Sequence, residues 1–129
     1  MMHNFKEDYI ATEVGPIHFY KLGKGPPVLL LHGYPQFSLM WEETATILSE
    51  NYTTIIPDLR GYGDSAAPKG LHDHSNYSKR VMALDVVQVL DYLSVDKASV
   101  VGHDRGGRVA HRLARDHRDR VSSLSVIDI

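Results

Sequence analysis

The chain has 129 residues, with 14 Lys and Arg against 16 Asp and Glu, a net charge of −2. That length allows one domain, and the balance excludes a molecule-wide nucleic-acid or anionic-membrane surface. No Cys is present, which excludes a disulfide scaffold, a thiolate zinc site and a thiol nucleophile, and suits a reducing cytoplasm. The start, Met1 to Asp8, is polar and acid-bearing, unlike a secretory signal. Tyr9–Val14 and Ile17–Tyr20, separated by Gly15-Pro16, read as a hairpin. Pro27–Leu31 is an apolar run that suits a strand buried on both faces. Its core, Val28–Leu31, is four residues, and no apolar run in the chain is longer, so none is long enough to span a bilayer.

Trp41–Leu48 has helical spacing through Trp41, Ala45 and Leu48, with Ser38 as a candidate cap. Tyr52–Pro57 is a β-branched strand ending at Asp58, followed by a Gly- and Pro-rich loop from Gly61 to Gly70. Ser78–Leu93 reads as a helix, with apolar Val81, Leu84, Val87, Val89, Leu90 and Leu93. Ala98–Val101 is a short buried strand. Arg105–Arg115 is helical, with Val109, Leu113, Ala110 and Ala114 as inward residues. Leu124–Ile127 is the last strand. Strand and helix alternate, which predicts right-handed crossovers, a mainly parallel sheet of six strands and flanking helices. Ligands of such sheets sit beyond the carboxyl ends of the strands. Those ends carry His32-Gly33, Asp58, Asp104 and Asp128.

The strongest motif is Gly102-His103-Asp104-Arg105-Gly106-Gly107, between a buried strand and a helix. This is the setting of a nucleophile elbow, whose sharp turn demands small neighbours. Asp104 stands where Ser is usual. A carboxylate is ionised at neutral pH and needs no base for its first attack. It suits displacement at a saturated carbon, giving an alkyl ester that water then hydrolyses; halides and epoxides are the fitting electrophiles. The same turn also fits an Asp helix cap, as in a dinucleotide-binding fold. Arg105 and Arg108 fall in the first helical turn, where the dipole disfavours cations by about 0.3–1 kcal/mol. Their placement anticipates an anion, such as a substrate carboxylate held beside Asp104. The alternative is that Arg108 pairs with a surface acid and Arg105 contributes only its N–H.

His32-Gly33-Tyr34-Pro35 follows the buried third strand. The N–H of Tyr34, with that of Arg105, could hold the oxyanion formed during ester hydrolysis. His32 reads as a loop-orienting residue rather than a base. Asp58 to Ser65 is a tight Gly-containing loop. Asp128 ends the last strand, where a carboxylate can orient a catalytic His or serve as a turn residue. His72-Asp73-His74 lacks ligand spacing, so no metal is expected. Six of the eight arginines lie in Arg105–Arg120, but Asp116 and Asp119 interrupt them, so no nucleic-acid partner is expected.

Together these motifs resemble the α/β-hydrolase superfamily, in its Asp-nucleophile branch of haloacid and haloalkane dehalogenases and soluble epoxide hydrolases. The resemblance runs from about Tyr9 to Ile129. It is carried by His32-Gly33-Tyr34-Pro35-Gln36 with Trp41, Asp58 to Ser65, Asn76-Tyr77-Ser78, Gly102 to Arg108, and Val126 to Ile129. Arg directly after Asp104, with Arg108 three residues on, is similar to haloacetate dehalogenases; the other branches usually carry Trp there. The resemblance implies an α/β-hydrolase fold, Asp104 as nucleophile, Arg105 and Arg108 on the substrate carboxylate, and Tyr34 and Arg105 amides as oxyanion hole. It implies Asp128 as the triad acid, with His32, Gly33, His103 and Trp41 in support. It implies no cofactor, a small haloacid as substrate, a cytoplasmic location and room for a homodimer of the full-length enzyme. Such enzymes continue past Asp128 into a helical cap, two more strands and a late catalytic His. The expectation is therefore an N-terminal part of the core, residues 1–129, unable to turn over alone. His103 sits on the wrong side of the elbow to replace that His. An epoxide hydrolase and a non-catalytic fragment are the alternatives.

Overall fold

The computed structural model describes residues 4–128. The expectations for Met1 to His3 and for Ile129 lie outside the described residues. Six strands form one sheet in the order β1-β2-β4-β3-β5-β6. β1 (Lys6–Thr12) and β2 (Gly15–Leu22) form the expected hairpin, but it turns at Glu13-Val14 rather than Gly15-Pro16, because Thr12 pairs with Gly15 and Ala11 with Pro16. β2 pairs antiparallel with β4 (Thr53–Pro57). β3 (Pro27–Leu31), β4, β5 (Ala98–His103) and β6 (Val121–Ile127) all run parallel. Their carboxyl ends therefore meet along one edge, as the alternation predicts.

The unbroken apolar run of β3 has a direct cause. Leu29 and Leu31 face a core shared with α2 (Lys79–Tyr92) and α3 (Arg105–Asp116), through Val86, Leu90, Val109 and Leu113. Val28 and Leu30 face the other side, with Ile56 of β4, against Trp41 and Ala45 of the α1 layer. A strand buried on both faces needs apolar residues at every position.

Three expectations change in detail. Ser38 does not cap the helix by its side chain. It begins a 3₁₀ turn, Ser38–Trp41, that leads into α1 (Glu42–Leu48). Its backbone N–H instead donates to Asp58 Oδ1 at 2.7 Å. In α2 the buried stripe is Met82, Ala83, Val86, Val89 and Leu90, and Leu84 is exposed. Asp85 on that stripe is buried because Arg60 reaches it with two hydrogen bonds of 2.8 and 2.9 Å. β5 extends to His103 through the pairs Gly102↔Val126 and His103↔Ile127, and β6 starts earlier than expected because Val121 pairs with Ala98 and Ser123 with Ser99.

Candidate active site

Asp104 follows β5 directly and begins α3. Its backbone has φ 54° and ψ −119°, an unusual conformation for a residue with a side chain. Three bonds fix it: its N–H donates to Ile127 O at 3.0 Å, and its carbonyl accepts from Gly107 and Arg108 N–H at 3.0 and 3.3 Å. A Cβ added at Gly102 would lie 2.4 Å from Gly106 O, and one at Gly106 would lie 2.3 Å from Leu31 O. The two glycines let α3 turn back onto β3 and β5, which is the steric demand read from the sequence.

The Asp104 side chain makes no capping bond to α3. It points instead at the β3 end, where Tyr34 N–H donates to Oδ2 at 2.9 Å. Gly33 permits this approach, since a Cβ there would meet Asp104 Cβ at 2.4 Å. The Tyr34 amide, then the adjacent Arg105 amide, hold the Asp104 carboxyl below its ordinary value of 3.8, with smaller help from His103 and the Arg105 charge. Of the two amides assigned to an oxyanion from the sequence, Tyr34 N–H bonds this carboxylate directly, and Arg105 N–H lies next to it at the start of α3.

Arg105 and Arg108 are exposed, one turn apart on α3. The Arg105 guanidinium lies over the Tyr34 ring, 4.6 Å from its centroid, and donates from Nη1 to the Tyr62 hydroxyl at 3.2 Å. The paired helix acids go to other cations: Asp116 to Arg80 and Arg112, Asp91 to Arg120 and Asp85 to Arg60. Among the described residues no carboxylate forms an ion pair with Arg108.

His32 is buried and bonded at both nitrogens. Leu59 N–H donates to Nε2 at 2.9 Å, so Nδ1 carries the proton and donates to Gly33 O at 3.1 Å. Burial pulls its pKa below the ordinary value. It is a neutral strut between the ends of β3 and β4, in line with the loop-orienting reading. Trp41 packs in the α1 core. His103 shares the face of β5 that carries Val101, and its buried Nδ1 has no partner among the described residues. Asp128 sits just past β6, exposed, with φ 49°.

A cluster that sequence reading missed anchors the floor beside the site. Buried His18 donates from Nδ1 to Asp58 Oδ2 at 2.7 Å, and its Nε2 lies 3.1 Å from Glu7 Oε2. Asp58 also accepts from Ser38 and Asp64 N–H. The partners stand 40 residues apart, so no local spacing reveals them. His18, Asp58 and Asp64 bring ligand-type atoms within 4.8 Å of one another. Both Asp58 oxygens are already bonded, so a cation there would have to displace native donors.

This cluster predicts a pH response. Burial alone would lower the His18 pKa, but the hydrogen bond to Asp58, the close Glu7 carboxylate and the charges of both lift it above 6.5. Burial alone would raise the Asp58 pKa, but its donors, His18 first, hold it below 3.8. The raised His18 contributes stability present below 6.5 and lost as pH rises through its folded value. The depressed Asp58 contributes stability present above 3.8 and lost as pH falls through its folded value. Thermal melts across pH should therefore fall off on the alkaline side, and His18→Gln should flatten that limb. An unchanged alkaline slope in the variant would disprove the pairing.

With this geometry in place, comparison with known proteins defines the class. The model of the alpha/beta hydrolase fold family matches residues 26–129. The chain is 51% identical over 107 residues to a fluoroacetate dehalogenase of Burkholderia sp, covering 83% of this chain and 35% of that protein. It is 42% identical over 113 residues to a soluble epoxide hydrolase of Corynebacterium sp. (strain C12), covering 88% and 38%. The solved structure of a Vigna radiata epoxide hydrolase variant superposes with a TM-score of 0.92 at 32% identity, covering 99% of this chain and 40% of that one. The chain belongs to the α/β-hydrolase fold family. It spans little more than a third of the length of these curated relatives. Among the described residues, no helix is long and apolar enough to cross a membrane.

Proposed function

We propose that this chain supplies the nucleophile and anion site of a hydrolase that cleaves carbon–halogen bonds in small haloacids. The observation that carries the reading is the Asp104 carboxylate, tied at Oδ2 to Tyr34 N–H and flanked by Arg105 and Arg108, neither of which has a carboxylate partner among the described residues. The Tyr34 bond leaves Oδ1 to attack. Arg105 and Arg108 hold the substrate carboxylate, so that the adjacent carbon faces Oδ1. The Oδ1–carbon bond forms as the carbon–halogen bond breaks, and the halide leaves with the electron pair. Water then attacks Cγ of the ester. The Tyr34 and Arg105 amides stabilise the oxyanion on Oδ2, and collapse releases the hydroxyacid and restores Asp104.

Among the described residues no imidazole hydrogen-bonds the carboxylate of Asp104 or Asp128. No residue of this chain is therefore assigned as the water-activating base, whose orientation is the role given to Asp128. An epoxide would leave both arginines without a carboxylate to bind, which favours the haloacid. Fluoride measurement discriminates directly. The chain should release fluoride from fluoroacetate up to one equivalent, and none from fluoroacetamide, which lacks the anion. Equal release from both would remove the arginines from substrate binding, and sustained release would place the base within the chain.

A further inference from the structure

Beside the elbow lies a cleft of about 300 Å³, lined by Arg60, Tyr62, Ala67, Tyr77, Lys79 and Arg105. It carries more positive charge than a monoacid requires. Arg60 is neutralised within the wall by Asp85. Lys79 and Arg105 remain, and among the described residues neither has a carboxylate partner. Lys79 opens α2, where the helix dipole disfavours a cation. Burial, then the fields of Arg105 and Arg108, pull its pKa below 10.5, while Asp104 offsets them only in part. The Tyr62 hydroxyl accepts from Arg105 Nη1 and so keeps its own hydrogen to donate. The ring is braced edge-on against His32 at 5.0 Å. Arg105 belongs to both this cleft and the Asp104 turn, so the two sites are contiguous.

We propose that this cleft is a second anion subsite, which takes the distal carboxylate of a short dicarboxylic acid on the Lys79 ammonium and the Tyr62 hydroxyl. The proximal carboxylate then occupies Arg105 and Arg108. Binding stands on the cleft and the two arginines, whatever reaction Asp104 performs. Its extension to halogenated dicarboxylates as substrates rests on the haloacid reading above.

The test titrates the full chain calorimetrically at low salt with succinate and with acetate, and reads the ratio of the two affinities. One charge-assisted contact is worth at least about tenfold, so the native chain should favour succinate by that factor or more. Lys79→Gln should bring the ratio near unity, and Lys79→Arg should restore most of it. Should Lys79→Gln melt early, Tyr62→Phe is read in its place and should lower the ratio about threefold or more. Equal binding of the two acids by the native chain, or a succinate preference that survives Lys79→Gln, overturns the subsite. Failure to release fluoride from fluoroacetate would instead overturn the haloacid reading and leave these affinities untouched.

Discussion

Asp104→Asn abolishes fluoride release and covalent labelling by fluoroacetate, with a loss of about 10⁴-fold or more. The substitution is chosen because it tests chemistry rather than folding. Asn, like Asp, is among the residues that most often adopt positive φ, and its amide oxygen can still accept from Tyr34 N–H. The elbow is held chiefly by backbone bonds from Ile127, Gly107 and Arg108, which the change does not touch. What is lost is the anionic oxygen. An amide is a poor nucleophile toward a saturated carbon, whereas Asp104 is ionised even below the ordinary carboxylate range because the Tyr34 and Arg105 amides stabilise its charge. The first step should therefore be independent of pH across the neutral range, and intact-mass analysis beside a fluoride electrode reads it. Undiminished labelling of the Asn variant would remove Asp104 from the reaction.

Arg60→Met lowers the unfolding free energy by about 3–5 kcal/mol, the cost of leaving a buried carboxylate without its partner. Arg60 and Asp85 are each only 2% exposed. Arg60 also donates from Nη1 to Asn76 O at 2.9 Å, so one guanidinium ties the loop after β4 to the approach to α2. Both segments form the cleft around Lys79. Burial already raises the Asp85 pKa against the Arg60 hydrogen bonds and charge. Without the cation, Asp85 takes up a proton as pH falls, so the deficit narrows toward acid. Arg60→Met combined with Asp85→Leu recovers most of the loss, because an apolar pair of similar volume carries no desolvation cost. Urea unfolding of the three variants reads the cycle. A loss below about 1 kcal/mol for Arg60→Met would show that water reaches Asp85.

The legible parts of the chain are those in which one local pattern determines the outcome. Pro27–Leu31 is apolar at every position because both faces of β3 are covered. Gly102 and Gly106 bracket Asp104 because no side chain fits at either place. The illegible parts are pairings across the chain. Nothing beside His18 marks it as the partner of Asp58, and nothing beside Arg60 marks Asp85. Ser38 reads as a cap from its neighbours, yet Asp58 claims its N–H because the sheet brings the end of β4 there. Leu84 fits an apolar helix pattern but faces outward, because Asp85 rather than an apolar residue takes the buried position next to it. Lys79 is unremarkable as one cation in a polar stretch. Its meaning depends on Arg105, which the fold carries to the same cleft.

The most direct test of Asp104 as the nucleophile is peptide mapping of the chain after incubation with fluoroacetate and acid quenching. The predicted result is a single carboxymethyl ester on Asp104, absent from Asp104→Asn. An unlabelled chain, or a label on any other residue, would contradict the displacement mechanism.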